Sequence, residues 1–498
     1  MDDAPRRQKR FWIICAALLA LFLGAMDALV MSAAMPTIVA ELGSIHLYAW
    51  VYSAYFLARA ISLPIVGKLS DIYKTKTIFL VSIAIFLLAS LAAGAAPSMI
   101  FLVAARVFQG VGAGGIFALV YIVLSDISLP GERGRTLSFA SSIWGIASII
   151  GPTLGGFIVT YLSWRWIFFI TVPLALLCLL GIGRYLKSEP RRKAVAHLDY
   201  GGVISLSGFI LCFLTIFIVG GREYAWGSAE ILVLSFLSGF FAMFFYFAEK
   251  RAVDPVIDLR FFAERNFTCG NIATFFSSFA IFSLFAYAPL YIQGALGKTP
   301  MQVGVAMLSL SFGWSMGSLV LGRFVAGAGG KTASVAGSLL LIIAGVMMLF
   351  FTIDTSIATC LLVFLLVGVG MGFVTLSTLL LVQGSLGSEN LGVATSFHQF
   401  ARTLGGTVGV GISGGIVTTR LINNLEISAV SVPPSVMEKL LDSMENIFRS
   451  EFQALLQPET GVVLYSAVAE SMVAVYWIVL VASICCLMAT VLLKPEQR

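Results

Sequence analysis

One aspartate, three arginines and one histidine lie inside apolar runs where a bilayer-embedded chain should carry no charge. Asp27 lies in the run 11–35, Arg59 in 47–66, Arg106 in 98–124, and His398 and Arg402 in 393–418. An ionisable group at membrane depth is costly unless it faces a cavity or a partner, so each is a functional candidate. Asp27 lies nine residues, or ~13 Å at the helical rise, from Pro36 at the end of its run. Arg106 lies eight residues, or ~12 Å, from Ser98 at the matching end of its own. The two therefore fall at similar depth with opposite charge. A carboxylate that is ion-paired in one state and desolvated in another changes its proton affinity between them, as proton coupling requires. Asp27 is the candidate proton carrier and Arg106 its candidate partner. Arg59 is a second possible partner, with Tyr52 and Tyr55 at i−7 and i−4 on its face. His398 and Arg402 are four apart on one face, with Gln399 beside them. Tyr52, Tyr55, Arg59, His398, Gln399 and Arg402 are candidates to line a substrate cavity. Glu470 opens the last apolar run and reads as a wetted surface acid.

The elements that must hold these residues are membrane-length helices. The 498-residue chain is 59% hydrophobic and 11% charged, a balance for a polytopic membrane protein and not a soluble one. Fourteen runs are long enough to cross the ~30 Å hydrocarbon layer. They lie near 11–35, 47–66, 77–96, 98–124, 137–160, 165–186, 201–220, 229–248, 267–292, 301–325, 333–353, 358–383, 393–418 and 468–493. The first run has no small-residue cleavage site and reads as a retained helix. With the N-terminus inside, 22 of the 31 Lys and Arg fall in cytoplasmic segments, six outside and three in the membrane. Both termini are therefore expected in the cytoplasm, in a cell membrane protein. The net charge of +6 is spread over short loops and does not point to nucleic acid. The seven cysteines show no metal-ligand spacing.

The chain repeats itself. Residues 67–76 read as a ten-residue polar loop between two apolar runs, and residues 322–331 repeat it, with Gly67 and Gly322 255 residues apart. Phe139, Gly151 and Gly156 precede Phe397, Gly409 and Gly414 by 258. A duplication in a membrane protein points to a transporter with its site between the halves. Helices 1–6 (residues 1–186) then match helices 9–14 (267–498). The segment 187–266 carries an inserted pair, helices 7 and 8, expected to pack outside the six-plus-six core. Residues 419–467 form a long external loop with amphipathic patterning.

In the segment 67–76, Gly67 allows close helix approach, Asp71 can accept from a helix N-terminus, and Lys76 suits a cytoplasmic surface. These three are the candidate cytoplasmic gate. Gly145, Gly151, Gly155 and Gly156 strip side chains from helix 5 and Pro152 removes a backbone donor; Gly151, Pro152, Gly155 and Gly156 are a candidate hinge. The abundant Phe, Tyr and Met suit an adaptable cavity for flat, lipophilic cations. There is no full Gly-x-x-x-x-Gly-Lys-Ser/Thr phosphate-binding loop, metal cluster or nucleophile constellation. An enzyme, a bound cofactor and ATP as energy source are not expected.

Several of these segments carry a family resemblance. Gly67–Lys76 resembles the cytoplasmic-loop signature of the major facilitator superfamily, with Lys74 and Thr75 where Gly and Arg are usual. Arg106-Val-Phe-Gln-Gly-Val-Gly-Ala-Gly114 resembles its helix-4 motif, and Gly145–Gly156 its helix-5 antiporter motif. Asp27–Pro36 resembles the helix-1 motif of drug/proton antiporters, and Trp164–Pro173 is similar to a segment of the fourteen-helix branch. The resemblance implies an all-α major facilitator fold with two six-helix bundles plus the inserted pair. It further implies a proton-driven exporter of amphipathic or cationic drug-like compounds, working as a monomer by alternating access. The same fold exporting one amino acid, siderophore or lipid is the alternative. A non-transporting membrane sensor would not need charges inside the first half.

Overall fold

Apolar runs of this length leave the backbone no hydrogen-bond partner but itself, so each folds as an α-helix. The computed structural model describes residues 4–42, 47–129, 132–187, 199–221, 224–298, 300–428 and 458–495. The first half contains α1 (Ala4–Leu42), α2 (Tyr48–Ile72), α3 (Thr75–Gly94), α4 (Met99–Asp126), α5 (Arg133–Tyr161) and α6, which is in two pieces (Trp166–Phe169 and Thr171–Tyr185). Next come α7 (Tyr200–Val219) and α8 (Ala229–Arg251). The second half contains α9 (Arg265–Gly294), α10 (Pro300–Ala328), α11 (Gly330–Met348), α12 (Ile357–Ser385), α13 (Leu391–Ser428) and α14 (Pro458–Val491). Among the described residues, twelve of these helices are long and apolar enough to cross a membrane. The other two, α5 and α13, are of similar length, and both face the interface between the halves.

The halves are built alike. In the first, α2 and α3 pack on α4, and α1 packs on α5; in the second, α10 and α11 pack on α12, and α9 on α13. The halves meet through α2 against α13 and α5 against α10, which are equivalent pairs under the duplication. The sharpest sign of this symmetry is steric. A Cβ on Gly67 would lie 1.8 Å from Ser396 Oγ, and one on Gly322 would lie 2.8 Å from Ser138 Oγ. Ser138 and Ser396 are 258 residues apart, so both contacts are copies of one approach between bundles.

Three sequence expectations change in the structure. The segment 67–76 is not a ten-residue loop: α2 runs to Ile72 and α3 begins at Thr75. Lys68 and Asp71 lie in the last turns of α2, where they are buried against neighbouring chain despite their charge. In the second half the equivalent turn is Gly329 alone, whose φ of +78° suits only glycine. The external loop is also shorter than 419–467, since α13 extends to Ser428 and α14 begins at Pro458. Its remaining part, 429–457, lies outside the described residues, as do residues 188–198 of the cytoplasmic linker.

The third change concerns the inserted pair. α8 is largely exposed and presents Phe236, Phe240, Phe244 and Phe247 outward, as a lipid-facing helix would. α7 sits further in, packed on α2 from one half and α13 from the other. Glycines on α13 make this possible. A Cβ on Gly411 would fall 2.2 Å from the Phe217 carbonyl oxygen, and the positive-φ Gly221 approaches the Gly415 backbone. Gly411→Val should therefore push α7 off the seam. The expected cost is roughly 1–3 kcal/mol by overpacking, read as a lower unfolding temperature in detergent. Gly239→Ala on α8, where an added Cβ meets nothing within 4 Å, should leave it unchanged.

Candidate functional site

The two opposite charges that sequence depth placed side by side do meet. Arg106 Nη1 on α4 donates to Asp27 Oδ2 on α1 at 2.7 Å, and both side chains are fully buried. Gln109, one turn along α4, completes the cluster. Its Oε1 accepts from Arg106 Nη1 at 2.7 Å, while its Nε2 donates to Asp27 Oδ1 and to Ser90 Oγ, each at 2.9 Å. Arg106 Nε donates to the Val51 carbonyl at 3.2 Å, and the guanidinium lies 4.2 Å from the centre of the Tyr55 ring. Tyr55 in turn donates to the Gly24 carbonyl at 3.4 Å. Both oxygens of Asp27 therefore accept from donors that carry no lone pair to share, which is the pattern of an ionised carboxylate. A proton on either oxygen would remove the charge that Arg106 pairs with and weaken the bonds from Arg106 and Gln109.

Beside this cluster, a cavity of about 250 Å³ opens between the halves. It is lined by arginine and aromatic side chains from both. Arg59 on α2 lies 5.0 Å from the Phe56 ring centre and 4.7 Å from that of Phe117. Arg402 on α13 lies between Trp144 and Trp314, at 5.3 and 4.6 Å. A second cavity of about 260 Å³ continues past Arg59 to Tyr52 and to Phe217 and Ile218 of α7. Among the described residues, no carboxylate lines either cavity.

At one end of the molecule the halves are latched. Both oxygens of Asp71 accept backbone N–H groups at the start of α13, from Gly392 at 2.7 Å and Val393 at 2.8 Å. These are donors that a helix start leaves unpaired, and the helix dipole favours an anion there. Lys68 donates to Asp254 Oδ1 at 2.6 Å, tying α2 to the segment between α8 and α9. In that segment Arg260 holds the Asp258 carboxyl below the usual carboxylate range. At the other end of α1, Glu41 accepts from Arg165 and, at 2.7 Å, from Trp164 Nε1. The Arg165 bond, followed by that of Trp164, lowers the Glu41 pKa.

The sequence-level candidates thus separate. Arg59, Gln399 and Arg402 line the first cavity, and Tyr52 and Arg59 the second. Arg59 is not the partner of Asp27. Tyr55 is not in the cavity, because its ring is buried under Arg106. His398 is not there either: its Nε2 is within 2.8 Å of Thr274 Oγ1 and 3.0 Å of Thr378 Oγ1, so two hydroxyls hold the ring inside the second bundle. Gly67 and Asp71 lie at the latch, whereas Lys76 turns into its own bundle and donates to the Gly183 carbonyl at 2.5 Å. Gly151 brings α5 onto α1, where a Cβ would lie 2.9 Å from Leu29 Cβ, two residues from Asp27. Gly155 is buried in α5. Pro152 and Gly156 fall in the same helix at positions outside the described side chains. Glu470 is exposed.

Two contributors were missed. Gln109 was readable as a polar residue three after Arg106 on the same helical face. The tryptophans of the cavity had a subtler signal. Trp314 follows Arg59 by 255 residues and Arg402 follows Trp144 by 258, the two offsets of the duplication. All four cavity positions are therefore related by the repeat, with arginine and tryptophan exchanged.

The comparisons with known proteins agree with this architecture. The sequence profile of the Major Facilitator Superfamily matches residues 17–410. The chain is 30% identical to the multidrug transporter protein MdtP of Bacillus subtilis over 462 residues, covering 92% of this chain and 85% of that one. It is 31% identical to the efflux pump LUC4 of a Fusarium species, covering 85% of this chain and 77% of that one. Among solved structures, the proton:xylose symporter XylE superposes with a TM-score of 0.63 at 14% identity, covering 97% and 95% of the two chains. The human organic anion transporter MFSD10 does so with 0.61 at 13%, covering 94% and 99%. At such identities these two show the fold alone. The chain belongs to the major facilitator superfamily, as a multi-pass membrane protein.

Two outcomes follow from the geometry. Asp27→Asn and Arg106→Gln each strand a buried charge and should each cost roughly 3–5 kcal/mol. The double variant should cost less than their sum by about 1 kcal/mol or more. Thermal unfolding of the four proteins in detergent measures this, and additive losses would mean the pair carries no coupling. Asp71→Ala should loosen the latch. In a cysteine-free background, a cysteine introduced by Ser396→Cys should then react faster with maleimide than with Asp71 intact; an equal rate would show that the latch does not hold α2 on α13.

Proposed function

From this family membership, we propose that the protein is a proton-coupled exporter of amphipathic, drug-like molecules, working by alternating access as a monomer in the cell membrane. The observation that carries the reading is Asp27, whose two oxygens are both held by donors fixed to α4. Taking up a proton there neutralises the carboxylate that Arg106 pairs with and weakens the ion pair, so protonation and the packing of α1 on α4 are coupled. α1 also supplies Ala28 and Leu29 to the first cavity. α2 carries both Tyr55, under Arg106, and Arg59, in the cavity. A change at the ion pair therefore has two short rigid paths to the substrate site.

The latch fits the other half of the cycle. Opening the Asp71 end, assigned to the cytoplasm by the distribution of Lys and Arg, requires two charge-assisted bonds to α13 to break. That end is closed here, with the cavity retained between the halves. Relatives named as multidrug transporters and efflux pumps support the outward direction and the drug-like cargo. The experiment is transport in proteoliposomes with an imposed pH gradient. The wild type should move a fluorescent amphiphile faster with the gradient than without, by about tenfold or more. Asp27→Asn should bind the dye yet lose the gradient dependence. Equal gradient-driven rates in the two proteins would remove Asp27 as the proton carrier.

A further inference from the structure

The first cavity is lined by hydrogen-bond donors, several of which lack acceptors; Arg402 has Tyr121 beside it and Arg59 has Tyr55, but neither has a carboxylate among the described residues. Arg59 and Arg402 face it from opposite halves, and neither is in an ion pair with any described residue. Among the described residues, Arg59 Nε and Nη1 have no hydrogen-bond partner, and neither do the indole N–H groups of Trp144 and Trp314. Arg402 and Trp314 are each only 6% exposed. Water does not repay such groups in a narrow apolar cavity as bulk solvent would, and an unpaired buried cation costs several kcal/mol. The guanidinium planes are instead held against four aromatic rings, which fixes their direction without neutralising them.

Resting on the exporter reading, we infer that the cavity takes an organic anion: an aromatic or otherwise flat apolar body carrying a carboxylate, sulfonate or sulfate group. The anionic oxygens accept from Arg59 and Arg402, one guanidinium from each bundle, and the flat body lies among Phe56, Phe117, Trp144 and Trp314. Guanidinium suits planar, bidentate oxygen groups. A lipophilic cation, the cargo that the aromatic composition suggested, brings further donors to a site already short of acceptors. It would also place a third positive charge beside two, with no lining carboxylate to offset it.

Two xanthene dyes with similar bodies and opposite charge test the assignment: carboxyfluorescein, an anion, and tetramethylrhodamine methyl ester, a cation. Binding to the purified full chain is read by fluorescence anisotropy in detergent. Carboxyfluorescein should bind more tightly than the rhodamine to the wild type. Arg59→Gln and Arg402→Gln should each weaken it roughly ten- to a hundred-fold, the size of a charge-assisted hydrogen bond. Arg59→Lys, which keeps the charge and loses the planar fork, should weaken it less than Arg59→Gln, and the rhodamine should not weaken in any variant. Tighter binding of the rhodamine to the wild type, binding of neither dye, or unchanged carboxyfluorescein affinity in monodisperse Gln variants overturns the inference. Where a Gln variant does not fold, the wild-type ranking still decides. The exporter reading is judged separately in proteoliposomes. Gradient-driven movement of the rhodamine alone keeps the exporter and overturns the anion. Tight carboxyfluorescein binding without gradient-driven movement of either dye keeps the anion and overturns the exporter.

Discussion

A carboxylate and a guanidinium buried together at membrane depth tolerate almost no slack, and the first bundle is built to that tolerance. Arg106 must reach Asp27 on α1, the Val51 carbonyl on α2 and the Gln109 amide on its own helix, while Gln109 must reach Ser90 on α3. All four helices can come that close because α4 is lined with glycine. A Cβ on Gly110 would lie 2.4 Å from the Tyr55 carbonyl oxygen, and one on Gly114 1.9 Å from Ser62 Oγ, both on α2. On the other face, Gly112 and Gly115 bring α3 to the same distance, with Cβ positions 2.6 Å from the Phe86 nitrogen and 2.1 Å from Ser82 Oγ. Helix association in lipid gains little from the hydrophobic effect and depends on such close packing and on polar contacts. The glycines and the ion pair are therefore one device: the first permits the distance and the second uses it.

The duplication shows which part of that device is packing and which is chemistry. On α12, Gly368, Gly370 and Gly372 stand 258 residues after Gly110, Gly112 and Gly114. They bring α10 and α11 onto α12 just as closely, with Cβ positions 2.2 Å from the Leu310 carbonyl, 2.8 Å from that of Gly337 and 2.5 Å from that of Trp314. At the positions of Arg106 and Gln109 the second half has Phe364 and Val367, both buried in its apolar core. The packing is repeated and the charge is not. The latch is equally one-sided: Gly67 and Gly322 are equivalent, but Asp71 has Ala326 as its counterpart. The symmetric frame supplies two bundles that can rock about a common seam, and single-copy polar residues give the two directions different chemistry.

What the sequence made legible follows from which forces act locally. Span number and the inserted pair were readable because the hydrocarbon layer imposes one length on every helix. Asp27 and Arg106 were readable as partners because depth along a helix is nearly one-dimensional. Asp71 was readable as an acceptor for a helix start, though not which helix. The failures are rotational. His398 and Arg402 share a face by count, yet two threonine hydroxyls draw the imidazole into the bundle while two indole rings hold the guanidinium at the cavity. On α2, Tyr55 lies under Arg106 while Arg59 lines the cavity, although the two side chains remain in contact. Periodicity tells which residues lie near one another on a helix, and not which neighbour each side chain takes. The inward seat of α7 depended on Gly411 meeting a backbone carbonyl more than a hundred residues away, and no local pattern carries that.

The two polar centres of the molecule differ in how their charge is settled. At Asp27, Arg106 and Gln109 the two opposite charges are paired within the first bundle, so the cluster is neutral without a ligand and is disturbed by a proton or by movement of α1 or α4. In the cavity, Arg59 and Arg402 come from opposite bundles and repel each other across the seam, held in place by aromatic faces. A ligand that offered acceptors to both would turn that repulsion into attraction between α2 and α13, the same pair of helices that the Asp71 latch joins at one end. Filling the cavity and latching the end would then favour the same approach of the two bundles. Emptying the cavity would leave the latch working against two facing cations. The balance between a closed internal ion pair and an open intermolecular one is set by which side of the seam each arginine stands on.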